Sequence, residues 1–226
     1  MELFDYLLAV KNAGGGGGGT GTEIDWSQIG YSDEPDLFSS AFDHAKTLYN
    51  AWDSTKTSYA NEFKDDLSLV ICPSVDTSLG TDFSSMFNGC SHLYILPDEL
   101  DTSNGTTFSS MFSGCANLTD IPELDLSKAT NIGSIVSGCT NLTNLGGFKN
   151  LGQAYSTSRA ENYTNYKLNF SSSNLTHDSL MNIINNLYDI KTKGCNNQAV
   201  TFGATNLARL SAEEIAIGTD KGWNIS

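Results

Sequence analysis

Three stretches of this chain are near-copies of one another, and their spacing constrains the fold more than any other feature. DTSLGTDFSSMFNGCSHLYILP runs from Asp76 to Pro97, DTSNGTTFSSMFSGCANLTDIP from Asp101 to Pro122, and DLSKATNIGSIVSGCTNLTNLG from Asp125 to Gly146. Every column steps by 25 and then 24 residues: Phe83, Phe108 and Ile132; Met86, Met111 and Ile135; Cys90, Cys115 and Cys139; Leu93, Leu118 and Leu142. A partial copy precedes them, with Leu69, Cys72 and Pro73 standing 24 residues before Leu93, Leu96 and Pro97. A unit this short cannot bury its apolar edge alone, so successive units are expected to stack as about four coils of one solenoid. The L-x-x-[LI]-P piece is expected as a short strand, adding to its neighbour at about 4.8 Å per coil. The F-S-S-M-F-x-G-C piece is expected as one or two turns of helix or 3₁₀ on the opposite side. Gly89, Gly114 and Gly138 would end it, and D-T-S would turn the chain.

The pattern F-S-S-M-F-x-G-C-x-x-L with D-T-S between copies resembles the BspA-like leucine-rich repeats of bacteria and their phages. Residues 69–146 carry the resemblance. The third copy departs conservatively, with Ile132, Ile135 and Val136 in place of Phe, Met and Phe. LTHDSLMNIINNLYDI (Leu175 to Ile190) and FGATNLARLSAEEIAIGTDKGWNIS (Phe202 to Ser226) resemble the closing module often found with such repeats. The resemblance implies an α/β fold: a leucine-rich-repeat solenoid of 24–25-residue coils, with an N-terminal helical cap and a C-terminal β-α capping module.

The flanks fit that division. Residues 1–13 read as an amphipathic peptide with Leu3, Phe4, Leu7 and Leu8 on one face, and 14–22 as a polyglycine tether. Such a peptide is marginal in water; it is either a frayed tail or a segment that folds on a partner. Residues 23–66 are expected as a helical cap. Pro35 suits a first turn, and Leu37, Phe38, Ala41, Phe42, Ala45, Leu48, Tyr49 and Trp52 form one buried stripe, with a second piece at Tyr59 and Phe63. The repeats occupy 67–151 and the closing units 152–226. There, Tyr166–Phe170 and Gln198–Phe202 read as strands. Thr176 reads as the cap of a helix carrying Leu180, Ile183, Ile184 and Leu187, and Ser211 and Glu214 as a capping box. Trp223 and Ile225 start a last short strand.

Composition narrows the function. With 26 acidic and 12 basic residues, the formal charge is −14. So acidic a chain repels phosphate backbones, which argues against nucleic acid or an anionic membrane surface as partner. No apolar run is long enough for a membrane span. Leu7–Val10 is too short for a signal-peptide core and follows Glu2 and Asp5, so no export signal is expected.

Candidate chemistry is sparse. The cysteines of the repeat are a whole unit apart, with no C-x-x-C and no neighbouring His, so they read as a small apolar ladder rather than as metal ligands or disulfides. His44, His92 and His177 suggest no nucleophilic arrangement, and Asp65-Asp66 and Glu213-Glu214 suit a solvated surface. Calcium held casually at an acidic turn is the one metal alternative, and no cofactor is expected. The remaining candidate is a binding face made of residues between the buried strand positions: Tyr94, Thr119, Asp120, Thr143 and Asn144. The expected function is non-enzymatic: a virion-associated structural or interaction protein of a phage, made in the host cytoplasm. Leu3, Phe4, Leu7 and Leu8 would attach it to other virion proteins or to copies of itself, so a homo-oligomer is open. Tyr94, Asp120 and Asn144 would meet a host-surface protein or glycan. The alternative is a bacterial cell-surface adhesin.

Overall fold

A computed structural model describes residues 37–153, 167–191 and 198–226. In chain order the described elements are α1 (Leu37–Ala51), β1 (Asp120–Ile121), β2 (Leu124–Asp125), β3 (Asn144–Leu145), β4 (Phe148–Lys149), β5 (Lys167–Asn169), α2 (His177–Asn186), β6 (Ala199–Thr201), α3 (Ala204–Leu207), α4 (Ala212–Asp220) and β7 (Asn224–Ile225). Among the described residues all strand pairing is parallel, in three separate small sheets: β1 with β3, β2 with β4, and β5-β6-β7.

The α/β leucine-rich-repeat solenoid expected from the sequence is not the architecture found. Among the described residues no continuous row of strands forms. The strands are two or three residues long, and before Asp120 the parallel pairing reduces to isolated bridges, such as Ile71 with Ile95. Nor do the F-S-S-M-F segments make helical turns on an opposite side. The physical reason lies in the backbone. Ser85, Ser110 and Ser134 sit at φ 56°, 57° and 57°, in the left-handed region that ends a right-handed helix. Alternate amides then point sideways. Phe83, Ser85, Phe87 and Gly89 donate to Thr107, Ser109, Met111 and Ser113 at 2.8–2.9 Å, while Met86, Asn88 and Cys90 donate to carbonyls three residues back. Past its first turn an α-helix spends every amide along its own axis, so a segment that gives alternate amides to a neighbour throughout its length cannot be one.

Cross-links between residues 24 or 25 apart hold these segments instead. Parallel bridges join Ser58 to Asp82, Asp82 to Thr107 and Thr107 to Asn131. Phe83 stacks on Phe108 at 5.3 Å and 6°, and Phe87 on Phe112 at 5.4 Å and 6°. These are favourable offset-ring separations. Leu93, Leu118 and Leu142 are buried, as are Met86, Met111 and Ile135. The second helical piece expected at Tyr59 and Phe63 is not helix. Its rings continue the aromatic rows, Tyr59 against Phe83 and Phe63 against Phe87. Of the expected stripe on α1, Ala41 and Ala45 are buried, but Tyr49 is 59% exposed.

The C-terminal elements fall within a residue or two of their sequence boundaries. Thr176 accepts from the Ser179 amide at the start of α2, and Ser211 and Glu214 make both halves of a capping box on α4. Trp223 donates its indole N–H to the Tyr188 carbonyl at 2.9 Å, tying β7 back to the chain after α2.

Candidate functional site

The polar residues of the repeat are largely spent on structure. Oδ1 of Asp76, Asp101 and Asp125 accepts the amide two residues on, from Ser78, Ser103 and Ser127, at 2.9–3.0 Å. Thr77 and Thr102 are buried and donate to the Asp101 and Asp125 carbonyls. The thiols of Cys90, Cys115 and Cys139 are buried and donate to the carbonyls of Phe63, Phe87 and Phe112 at 2.8, 3.1 and 3.1 Å. Burial pushes Cys90 up to about 11 and Cys139 to about 12, so neither is a thiolate near neutrality.

Three side chains of nucleophilic chemistry do meet: His44, Asp66 and Ser68. Their order is wrong for general-base catalysis. Asp66 Oδ2 and Ser68 Oγ both approach the same imidazole nitrogen, Nε2, at 3.2 and 3.3 Å. The Ser68 hydroxyl donates instead to Asp66 Oδ1 at 2.6 Å. A catalytic triad needs the carboxylate on one ring nitrogen and the hydroxyl on the other. The cluster ties α1 to the chain that follows. Among the described residues, no three His, Cys, Asp or Glu side chains are grouped so as to hold a metal ion.

Of the binding residues expected from sequence, Leu3, Phe4, Leu7 and Leu8 lie outside the described residues. Asp120 and Asn144 are brought together as a β1–β3 pair, with the Asn144 amide donating to Asp120 Oδ1 at 2.9 Å. Thr119 donates to the other carboxylate oxygen, so this pair is closed on itself. Tyr94 sits in the adjacent column, its amide on the Val70 carbonyl and its side chain 40% exposed.

Sequence reasoning missed a cleft of about 760 Å³ where α1 meets the D-T-S turns. Tyr49, Trp52, Val75, Asp76, Glu99 and Asp101 line it, together with Ser74 and Thr77. Trp52 is held rigidly. Its ring stacks on Tyr59 at 5.1 Å and 11°, and its Nε1–H donates to the Asp76 carbonyl at 2.8 Å. Thr77 bonded to the Asp101 carbonyl fixes one acidic turn against the next. Bonds from Ser78 hold the Asp76 carboxyl below its ordinary range. Among the described residues, none of the three carboxylates has a cationic partner. The last turn of α1 also brings the negative end of its dipole to this corner. The missed signal was the Tyr49–Trp52 pair at the end of the helical stripe, which the periodicity assigned wholly to the core.

A protein-family model described as Mycoplasma protein of unknown function, DUF285, matches residues 54–180, more than half of the chain. Neither the curated proteins nor the solved structures yielded a match.

Proposed function

The chain belongs to the DUF285 family of Mycoplasma proteins, and from that premise we propose that it is a non-enzymatic interaction protein. The finer reading is a virion-associated component of a phage. There Met1 to Ala13 is the attachment segment, set apart by the glycines at 14–19, and the acidic body is displayed. One observation carries the interaction reading. The carboxylates, hydroxyls and thiols repeated along the chain bond the turns and the neighbouring units, while the cleft beside α1 and the exposed Tyr94 lie open among the described residues. The resemblance to BspA-like repeats supports a binding role by analogy. The description of the matching family names Mycoplasma, which supports the bacterial origin of the second reading, a bacterial cell-surface protein, and the surface placement in that reading rests on the resemblance to BspA-like repeats. Both readings use the body in the same way and differ in what the N-terminal segment is fixed to.

The test is deletion of residues 1–21. The truncated protein should melt with the full chain but fail to incorporate into purified particles, or to self-associate in sedimentation. Equal assembly by the truncated and full chains refutes attachment through this segment.

A further inference from the structure

We propose that the cleft between the end of α1 and the D-T-S turns receives an arginine or lysine side chain carried on a basic segment of a protein partner. The inference deepens the interaction reading above, since it names the chemistry of one partner.

Tyr49, 59% exposed, and the pinned Trp52 present aromatic surface on the helix side. An organic cation is drawn to an aromatic ring face by the ring quadrupole, and Trp is the strongest such ring. Opposite them stand Asp76, Glu99 and Asp101. Carboxylates alone would say little. The turn amides, however, take only Oδ1 of Asp76 and of Asp101, the Ser78 hydroxyl adds a second bond to the Asp76 carboxyl, and none of the three carboxylates is neutralised by a cation among the described residues. Part of the wall is preorganised as well. Trp52 is fixed by its stack and its indole bond, and the two acidic turns are fixed by Thr77, so the ordering that binding must impose falls on the exposed Tyr49 and Glu99. A net charge of −14 draws basic partners and repels acidic ones.

The shape selects a tethered cation over a free one. Sites for small molecules enclose most of their ligand. Here the walls are open: Tyr49, Ser74, Asp76, Glu99 and Asp101 are all exposed. A free cation would keep too much of its surface in water to be held firmly. A side chain delivered by a partner draws the rest of its affinity from the partner's own contacts.

The experiment titrates the full chain at low salt with a short fluorescein-labelled Arg/Gly peptide, read by anisotropy, and in parallel with argininamide. The cleft variant carries Asp76→Asn, Glu99→Gln and Asp101→Asn, which keeps each turn's accepting oxygen. The control variant carries Asp178→Asn, Glu213→Gln and Asp220→Asn, which removes the same charge from α2 and α4, outside the cleft lining. A melting curve establishes that both are folded. The cleft variant should bind the peptide about tenfold more weakly, as three exposed ion pairs of modest strength would give together. Tyr49→Ala should also weaken it, and the control should change little. Equal losses in the two charge variants would show a diffuse field rather than a site and overturn the proposal. So would absence of peptide binding, or argininamide binding as tightly as the peptide. Because the titration is done in solution on the full chain, its failure leaves the attachment test untouched, and the reverse holds.

Discussion

Replacing Gly105 with Ala should destabilise the protein, and replacing Phe108 with Ile in the same chain should relieve most of the harm. A Cβ at Gly105 would lie 2.1 Å from Phe108 Cζ and 2.8 Å from Cε2. Phe108 cannot swing aside, since it is fully buried and stacked on Phe83 at 5.3 Å. Gly80 stands in the same relation, its added Cβ meeting Phe83 Cζ at 2.4 Å. The third copy has Ala129 where the others have Gly80 and Gly105, and there Ile132 replaces the phenylalanine, both residues fully buried. The chain thus already carries the paired exchange at one of three equivalent places.

Overpacking of this kind costs about 1–3 kcal/mol. Loss of the glycine's freedom in the unfolded chain returns about 0.4–1 kcal/mol. Gly105→Ala should therefore cost about 1.5 kcal/mol, a fall in Tm of about 5 °C for a chain of this size. Phe108→Ile alone leaves a void and should cost about 1–2 kcal/mol. With both changes the new methyl enters that void, so the double variant should be more stable than the sum by about 1 kcal/mol or more. Gly133→Ala is the control. Its added Cβ meets only Asn131 Oδ1, at 3.5 Å, so its effect should stay within about 0.5 kcal/mol. Urea unfolding followed by circular dichroism measures all four. Strict additivity, or a Gly105→Ala chain as stable as its parent, refutes the packing argument.

Two further outcomes follow from the same interior. Burial raises Cys72 to about 12, Cys90 to about 11 and Cys139 to about 12, and raises Cys115 in the same direction. In a Cys195→Ser background, an aromatic disulfide reagent at mildly alkaline pH should therefore label these thiols only after denaturant is added; rapid labelling of the native protein contradicts their placement. The second outcome concerns acid. Burial works to raise the Asp82 carboxyl, but bonds from Ser84 and Thr107 outweigh it and hold the group below 3.8. A folded-state value below the unfolded one gives stability that is complete above the ordinary carboxylate range and is lost as pH falls through the folded value. Tm should thus be level down to about pH 5 and fall below about pH 4. Asp82→Asn, which copies Asn131 of the third repeat, should shrink that fall; an unchanged acid slope would remove Asp82 from the account.

The core residues were legible in the sequence because burial repeats with the unit. Leu93, Leu118, Leu142 and the cysteines needed only alignment to be placed inside. The path of the chain between them was not legible. F-S-S-M-F is compatible with a helical turn by composition, and nothing in a serine announces φ near +57°. That conformation is set by amides reaching for the neighbouring unit, a nonlocal demand that no local pattern records. Tyr59 and Phe63 were different, since their signal was present. They repeat the spacing of Phe83 and Phe87 one unit earlier, but the preceding helical stripe absorbed them into a reading of period alone.

The cleft was hidden for a related reason, and the reason bears on what it does. Inside the run of repeats, each acidic turn is followed by another of the same kind, and its bonds are answered by the next copy. Thr77 meets the Asp101 carbonyl and Thr102 meets that of Asp125. On the side of Asp76 away from Asp101, the answering group comes from outside the pattern. Trp52 and Tyr59 both reach the Asp76 carbonyl, at 2.8 and 3.3 Å. A bulky indole thus stands where a threonine serves inside the repeat, and it lines the cleft. Its carboxylates come from the repeat and its rings from the last turn of α1 and the residue just after it, so no single segment contains the site. A binding function can then arise at the junction without altering any residue on which the stacking depends. Changing Tyr49 or Glu99 should alter recognition and leave the buried rows of Phe83, Phe87, Phe108 and Phe112 undisturbed.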